Sequence, residues 1–260
     1  MATYSETINF LLDYLYRSMP EYVGVIKHTD DIKDKRRALR DLMNLKKPGL
    51  LPESFLNKQN ALLKYELSKK RLITLSDITA SSISKIGLVS GDITKIIADA
   101  IVNPASQTLL GCFVPGHYCV DNDIHSAAGL QLRNECAQII KLQNHEETPG
   151  HAKVTKGYNL PCKFVIHTVA PRFKDRPSNL EVSQFKNCYI SSLEAARLRG
   201  LKTICFPAIG VGEMGFSSKN GATIAINTVE EYLNMHEDAP IVIFCMKYQK
   251  DFEAYEDILG

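Results

Sequence analysis

The sequence predicts an α/β fold in which a mixed, mostly parallel central sheet is covered by helices on both faces and preceded by an N-terminal helical extension. Three observations carry the prediction. Residues 1–72 space their apolar side chains at the helical period. From residue 73 onward, short β-branched runs alternate with helical stretches, which divides the chain into an extension at 1–72 and an α/β domain at 73–260. Those runs are continuously apolar, the pattern of strands buried on both faces.

In the extension, Thr3 and Glu6 have capping-box spacing, and Ile8, Leu11, Leu12 and Leu15 follow as an apolar stripe that Pro20 ends. A second helix is expected over 31–45, with Ala38, Leu39, Leu42 and Leu45 inward and Lys46, Lys47, Pro48 and Gly49 closing it. A third starts near Pro52, where proline suits a first turn, and carries Phe55, Leu56, Leu62, Leu63 and Leu67. Beyond it, strands are expected at 86–89, 100–102, 152–155, 164–168, 203–206 and 241–245. Helices are expected at about 123–142, 180–199, 219–235 and 250–259. In such a sheet, ligands bind outside the carboxyl ends of the strands.

At 260 residues, with 45% hydrophobic and 23% charged content, the composition is that of an ordinary soluble globular protein. No apolar run approaches the ~20 residues of a membrane span. The start MATYSETINFLLDYLYRSMPEY lacks the basic region and cleavage site of a signal peptide. Seven cysteines, an odd number without a signal, point to a reducing, cytoplasmic compartment. A net charge of +2 gives no reason to expect a nucleic-acid or membrane partner. The basic run KDKRR at 33–37 is diluted by Asp30, Asp31, Asp34 and Asp41 and reads as a solvated helix face.

Three loops follow predicted strands and so open at the carboxyl edge. The first, SGDIT at 90–94, offers Asp92 either as acceptor for an exocyclic amine or hydroxyl, or as the cap of a short helix. The second spans 103–125 and contains GCFVPGHYC, which places Cys112, His117 and Cys119 in a C-x4-H-x-C spacing. Two thiolates and an imidazole suit zinc, and three protein ligands leave a coordination position open for water or substrate. The other reading keeps the cysteines as small buried hydrophobes and the histidine as a hydrogen-bonded loop residue. Asp121 or Asp123 is a base beside a polarised oxygen or a helix N-cap, one of the two being expected to cap, and His125 reads as structural. The third loop, PAIGVGEMGF at 207–216, spaces Gly210, Gly212 and Gly215 so that backbone N–H groups converge on phosphate oxygens at a helix entrance.

Taken together, GDIT at 91–94, AIVNPAS at 100–106, LLG at 109–111, VDNDIHSAAG at 120–129, KGYNLPCKFVIHTVAP at 156–171 and FPAIGVGEMGF at 206–216 resemble a macrodomain. That family has a three-layer α/β/α fold and binds ADP-ribose. The Cys-His-Cys insert and the N-terminal helices, including LRDLMNLKKP at 39–48, are similar to the zinc-dependent macrodomains that remove ADP-ribose from proteins, often encoded beside sirtuin-like ADP-ribosyltransferases. The resemblance covers nearly the whole chain.

The resemblance implies a monomeric, zinc-dependent protein-ADP-ribose hydrolase with one zinc ion, acting on ADP-ribosylated protein and releasing ADP-ribose. A non-catalytic ADP-ribose reader with a structural zinc, or an O-acetyl-ADP-ribose deacetylase, are the alternatives. By the same resemblance Asp92 and Ile93 meet the adenine, and Gly212, Glu213, Met214, Gly215 and Phe216 wrap the diphosphate. Asn103, Ser106 and Asn122 belong to the ligand-binding set around the distal ribose. Cys112, His117 and Cys119 hold the zinc above it, and Asp121 is the catalytic acidic residue. The chain departs from the family pattern in reading Asn103-Pro104-Ala105-Ser106 for NAAN, and Gly210-Val211-Gly212 for STG. Its last strand also leads into Lys247-Tyr248, which makes Tyr248 the aromatic available as an adenine platform.

Overall fold

The computed structural model describes residues 2–173 and 177–260, with Glu213 described by its backbone alone. Three helices come first: α1 (Tyr4–Ser18), α2 (Ile32–Leu45) and α3 (Glu53–Ser68). Thr3 and Glu6 form the expected capping box, and Asp31 caps α2 by accepting from the N–H groups of Lys33 and Asp34. The helices bury Ile8, Leu11, Leu12, Leu15, Leu39, Leu42, Phe55 and Leu62 against one another. Met43 faces this core in the place expected for Leu45, which is half-buried. Leu130 of the following domain joins the same cluster, so the extension shares its core with that domain.

The sheet has seven strands in the order β1-β2-β7-β6-β3-β5-β4. They are β1 (Thr79–Ala80), β2 (Ile86–Ser90), β3 (Ala98–Pro104), β4 (Ala152–Lys156), β5 (Cys162–Thr168), β6 (Thr203–Phe206) and β7 (Ile241–Met246). The central strands β2, β7, β6, β3 and β5 pair in parallel, while β1 and β4 are antiparallel edges. The central strands are almost wholly buried, as continuous apolar runs require when helices cover both faces. β1 has two exposed residues and is too short to show a period in sequence.

One face is covered by α6 (Asn179–Arg197), α7 (Ser218–Met235) and α8 (Gln249–Leu259), the other by α4 (Val120–Ala128) and α5 (Leu130–Gln143). The single helix expected over 123–142 is therefore two. The break is at Gly129, whose φ is +95° and where a Cβ would lie 2.6 Å from Gln59 Nε2. Gln59 of α3 also accepts from the freed Leu130 N–H at 3.0 Å. A contact from 71 residues away sets this break, which helical periodicity cannot register.

Among the described residues no helix is long and apolar enough to cross a membrane.

Candidate functional site

Parallel pairing brings the ends of β2, β3, β6 and β7 to one edge, and a cavity of about 480 Å³ opens there. That volume is within the usual range for a small-molecule site. Its wall takes Asp92 and Ile93 after β2, Ala105 and Ser106 after β3, Gly210, Val211, Gly212 and Met214 after β6, and Lys247 and Tyr248 after β7. Cys112, His117, Cys119 and Asp121 close the side next to α4.

Asp92 takes the capping role and also borders the cavity. Its Oδ1 accepts from Thr94 N–H at 3.0 Å and Thr94 Oγ1 at 2.7 Å, capping a 3₁₀ turn at Ile93–Lys95 while the side chain still borders the cavity. The helix expected to run on from this cap ends within that one turn.

The β6–α7 loop turns through Gly210, Gly212 and Gly215, all with positive φ. Phe216 anchors it from below, packed on Phe173 with ring centroids 4.1 Å apart. Phe216 and Gly215 thus shape the loop from outside the cavity lining, which Gly212 and Met214 reach. The side chain of Glu213 lies outside the described residues.

Neither Asp121 nor Asp123 caps α4. Cys119 does, its Sγ accepting from the Asn122 N–H at 3.4 Å. Asp123 is held instead by Arg40 at 2.7 Å and Lys247 at 2.6 Å. Asp121, in the first turn, accepts at Oδ1 from Asn103 Nδ2 at 2.8 Å. Burial pushes its pKa up to about 6, with the Asn103 hydrogen bond and the Arg133 charge opposing. His125 approaches Asp121 at 3.5 Å, but burial holds the imidazole neutral, so this is no ion pair.

Asn103, next to the last residue of β3, is fully buried and borders the cavity only through Asp121. An ionised carboxylate accepts only, which fixes the amide with Nδ2 towards Asp121. The same Nδ2 lies 3.1 Å from His167 Nδ1, which therefore accepts, leaving His167 Nε2–H for Thr155 Oγ1 at 2.9 Å. Asn122 is also fully buried, but it is turned away from the cavity towards the N-terminal helices. Ser106 is exposed at the rim, with its Oγ 3.0 Å from Thr108 Oγ1.

The ligand atoms of Cys112, His117 and Cys119 all lie within 4.8 Å of one another, and Cys112 Sγ is 3.5 Å from His117 Nδ1. Backbone N–H groups point at both sulfurs, Val114 at Cys112 and Asn122 at Cys119, each at 3.4 Å. Burial pushes the Cys119 thiol up to about 12, so a thiolate there calls for a cation. Donor type, spacing and partial exposure fit a zinc ion. His125, Cys136 and His167 also cluster, but they are buried beneath α4 and both His167 nitrogens already have partners. That second group reads as core, with His167 hydrogen-bonded and the buried His125 ring nitrogens without a hydrogen-bond partner among the described residues.

Tyr248 borders the cavity and donates its hydroxyl to the Tyr118 carbonyl at 3.2 Å, bridging the β7 end and the cysteine loop. Lys250 and Asp251 of α8 also line the cavity, and no sequence signal separated them from ordinary helix residues.

The model of the macro domain family matches residues 102–225. The protein-ADP-ribose hydrolase of Treponema medium is 36% identical over 261 residues, covering 99% of this chain and 100% of that protein. The protein-ADP-ribose hydrolase of Staphylococcus aureus strain MRSA252 is 36% identical over 250 residues, covering 95% and 94%. Among solved structures, the Oceanobacillus iheyensis macrodomain with ADP superposes with a TM-score of 0.63 at 32% identity, covering 69% of this chain and 93% of that one. The Trypanosoma brucei macrodomain in complex with ADP-ribose gives 0.66 at 25% identity, covering 85% and 95%.

Proposed function

The chain belongs to the macro domain family, and from that premise we propose that it is a zinc-dependent hydrolase that removes mono-ADP-ribose from modified protein side chains. The observation that carries this reading is that Asp121 and the Cys112-His117-Cys119 cluster line the same cavity as the glycine loop. Relatives bearing the hydrolase name along their full length support it.

ADP-ribose enters with its adenine towards Asp92, Ile93 and Tyr248. Its diphosphate lies along the Gly210–Met214 loop, whose backbone N–H groups and the following helix entrance favour negative charge. The distal ribose then lies beside Asp121. Hydrolysis places a water oxygen on the anomeric carbon, or on an ester carbonyl attached to it, as the bond to the protein side chain breaks. Positive charge develops on the ribose ring when the anomeric bond is the one cleaved. Asp121 orients the attacking water and takes its proton, which is then available to the departing side chain. Asn103 keeps the Asp121 carboxylate turned for that task. Cys112, His117 and Cys119 would hold the zinc ion, which when bound would supply Lewis acidity to the reaction.

The test is release of free ADP-ribose from a mono-ADP-ribosylated protein, run beside O-acetyl-ADP-ribose. Release from protein supports the reading. Tight binding without release favours a reader, and turnover of the ester alone favours the deacetylase.

A further inference from the structure

The N-terminal extension reaches the cysteine loop through half-buried and buried polar groups. Arg40 of α2 donates from Nη2 to Asn122 Oδ1 at 3.0 Å and to Asp123 Oδ1 at 2.7 Å. One turn on, Asn44 donates to Ser126 Oγ at 3.0 Å and accepts from Asn122 Nδ2 at 3.2 Å. Asn122 also donates Nδ2 to the Val114 carbonyl at 3.2 Å and its backbone N–H to Cys119 Sγ. One asparagine thereby ties α2 to the middle of the loop and to one of its sulfurs.

Arg133 of α5 makes the second connection. Its Nη1 contacts the carbonyls of Met43, Asn44 and Lys46 at the end of α2, at 3.0, 2.9 and 2.6 Å. Its Nε donates to the Leu110 carbonyl at 2.7 Å, and its guanidinium stands 4.4 Å over the Phe113 ring. Leu110 and Phe113 lie on either side of Cys112. Arg133 is 2% exposed, so these contacts are made away from water, where they weigh most.

A helical extension that merely covered one face of the domain would need only its apolar core. Holding the loop is a separate task. A loop with Pro115 and Gly116 at its tip must lose conformational freedom before three ligands converge, and ordering it beforehand removes that cost from metal binding. Groups behind the ligands commonly change metal affinity 10–100-fold.

We propose that the N-terminal extension is part of the metal centre, with Arg40, Asn44 and Arg133 acting as positioning residues that hold the loop so that Cys112, His117 and Cys119 are placed before the ion arrives. This rests on the zinc reading above. The test uses the full chain with Arg40→Ala, Asn44→Ala and, as control, Glu66→Gln. Glu66 pairs with Arg36 between α2 and α3, so its loss loosens the extension without touching the loop. Zinc affinity is measured by competition with a chromophoric chelator, well below each variant's unfolding temperature. Amide hydrogen exchange across 112–119 is measured on the metal-free proteins.

Arg40→Ala and Asn44→Ala are expected to weaken zinc binding about 10–100-fold and to speed exchange in the loop, while Glu66→Gln leaves both near wild type. Unchanged affinity in the two folded variants, or an equal loss in the control, overturns the proposal. If wild type binds no zinc, the metal reading falls. The holding role then stands or falls on loop exchange alone.

Discussion

Asn103 Nδ2 donates to Asp121 Oδ1 at 2.8 Å, joining the end of β3 to the first turn of α4 at the cavity wall. Behind it His167 and Thr155 continue the chain of hydrogen bonds into the sheet, so a rigid element aims the carboxylate.

That relationship separates two variants. Asp121→Asn removes the base and is expected to lower kcat by about 10²–10⁴-fold with ADP-ribose affinity nearly kept. Asn103→Ala leaves the carboxylate but lets it turn, and a drop of roughly 10²-fold in kcat is expected. Steady-state release assays beside calorimetric titration of ADP-ribose check both. An Asn103→Ala enzyme with wild-type kcat would show that the aim of Asp121 is irrelevant.

The glycine loop makes a binding prediction. Gly210 has φ +75°, and a Cβ there would lie 2.8 Å from Phe185 Cε2, whereas Gly212 has φ +72° and open space around it. Gly210→Ala is expected to displace the loop and weaken ADP-ribose binding by at least about tenfold, or ~1.4 kcal/mol. Gly212→Ala meets only the backbone strain and should cost less. Equal affinities for Gly210→Ala and wild type would remove this loop from the ligand site.

The buried histidine behind Asn103 predicts an acid limb in stability. Burial lowers the His167 pKa from 6.5 to about 3, so the fold keeps it neutral while the unfolded chain takes up a proton. The unfolded state therefore binds more protons between those values, and stability rises with pH there. This contribution is complete above about pH 6.5 and is lost as pH falls towards 3, amounting to about 2 kcal/mol between pH 6.5 and 5. Denaturant titrations should show His167→Gln less stable at pH 7 but less sensitive to acidification. Parallel pH profiles for the two proteins would refute the assignment.

Much of this was legible in the sequence because it is local. The Thr3–Glu6 cap, the apolar stripe of α1 and the continuous runs of β3 and β5 are written within a few neighbouring residues. So is the C-x4-H-x-C spacing, and the structure draws those three side chains together. The break at Gly129 was hidden because its cause, Gln59, is on another helix. Asn122 looked like a ligand residue by its place beside Asp121, yet one step along a helix turns a side chain by about 100° and sends it to α2. Arg40 and Asn44 lie in the LRDLMNLKKP stretch that supports the resemblance, but nothing in it assigns them a partner, and Arg133 is an ordinary arginine on an amphipathic helix until the fold buries it. Cys119 caps α4 in place of its acidic neighbours, the residue type that usually takes that role.

The most direct test of the central claim is metal dependence of turnover. Protein freed of metal by chelation, with zinc content verified, is assayed for ADP-ribose release from a mono-ADP-ribosylated protein and then reassayed after zinc is restored. Cys119→Ala is run alongside. Release should vanish with the metal, return with zinc in wild type and stay absent in Cys119→Ala. Full release by verified zinc-free protein would contradict the account.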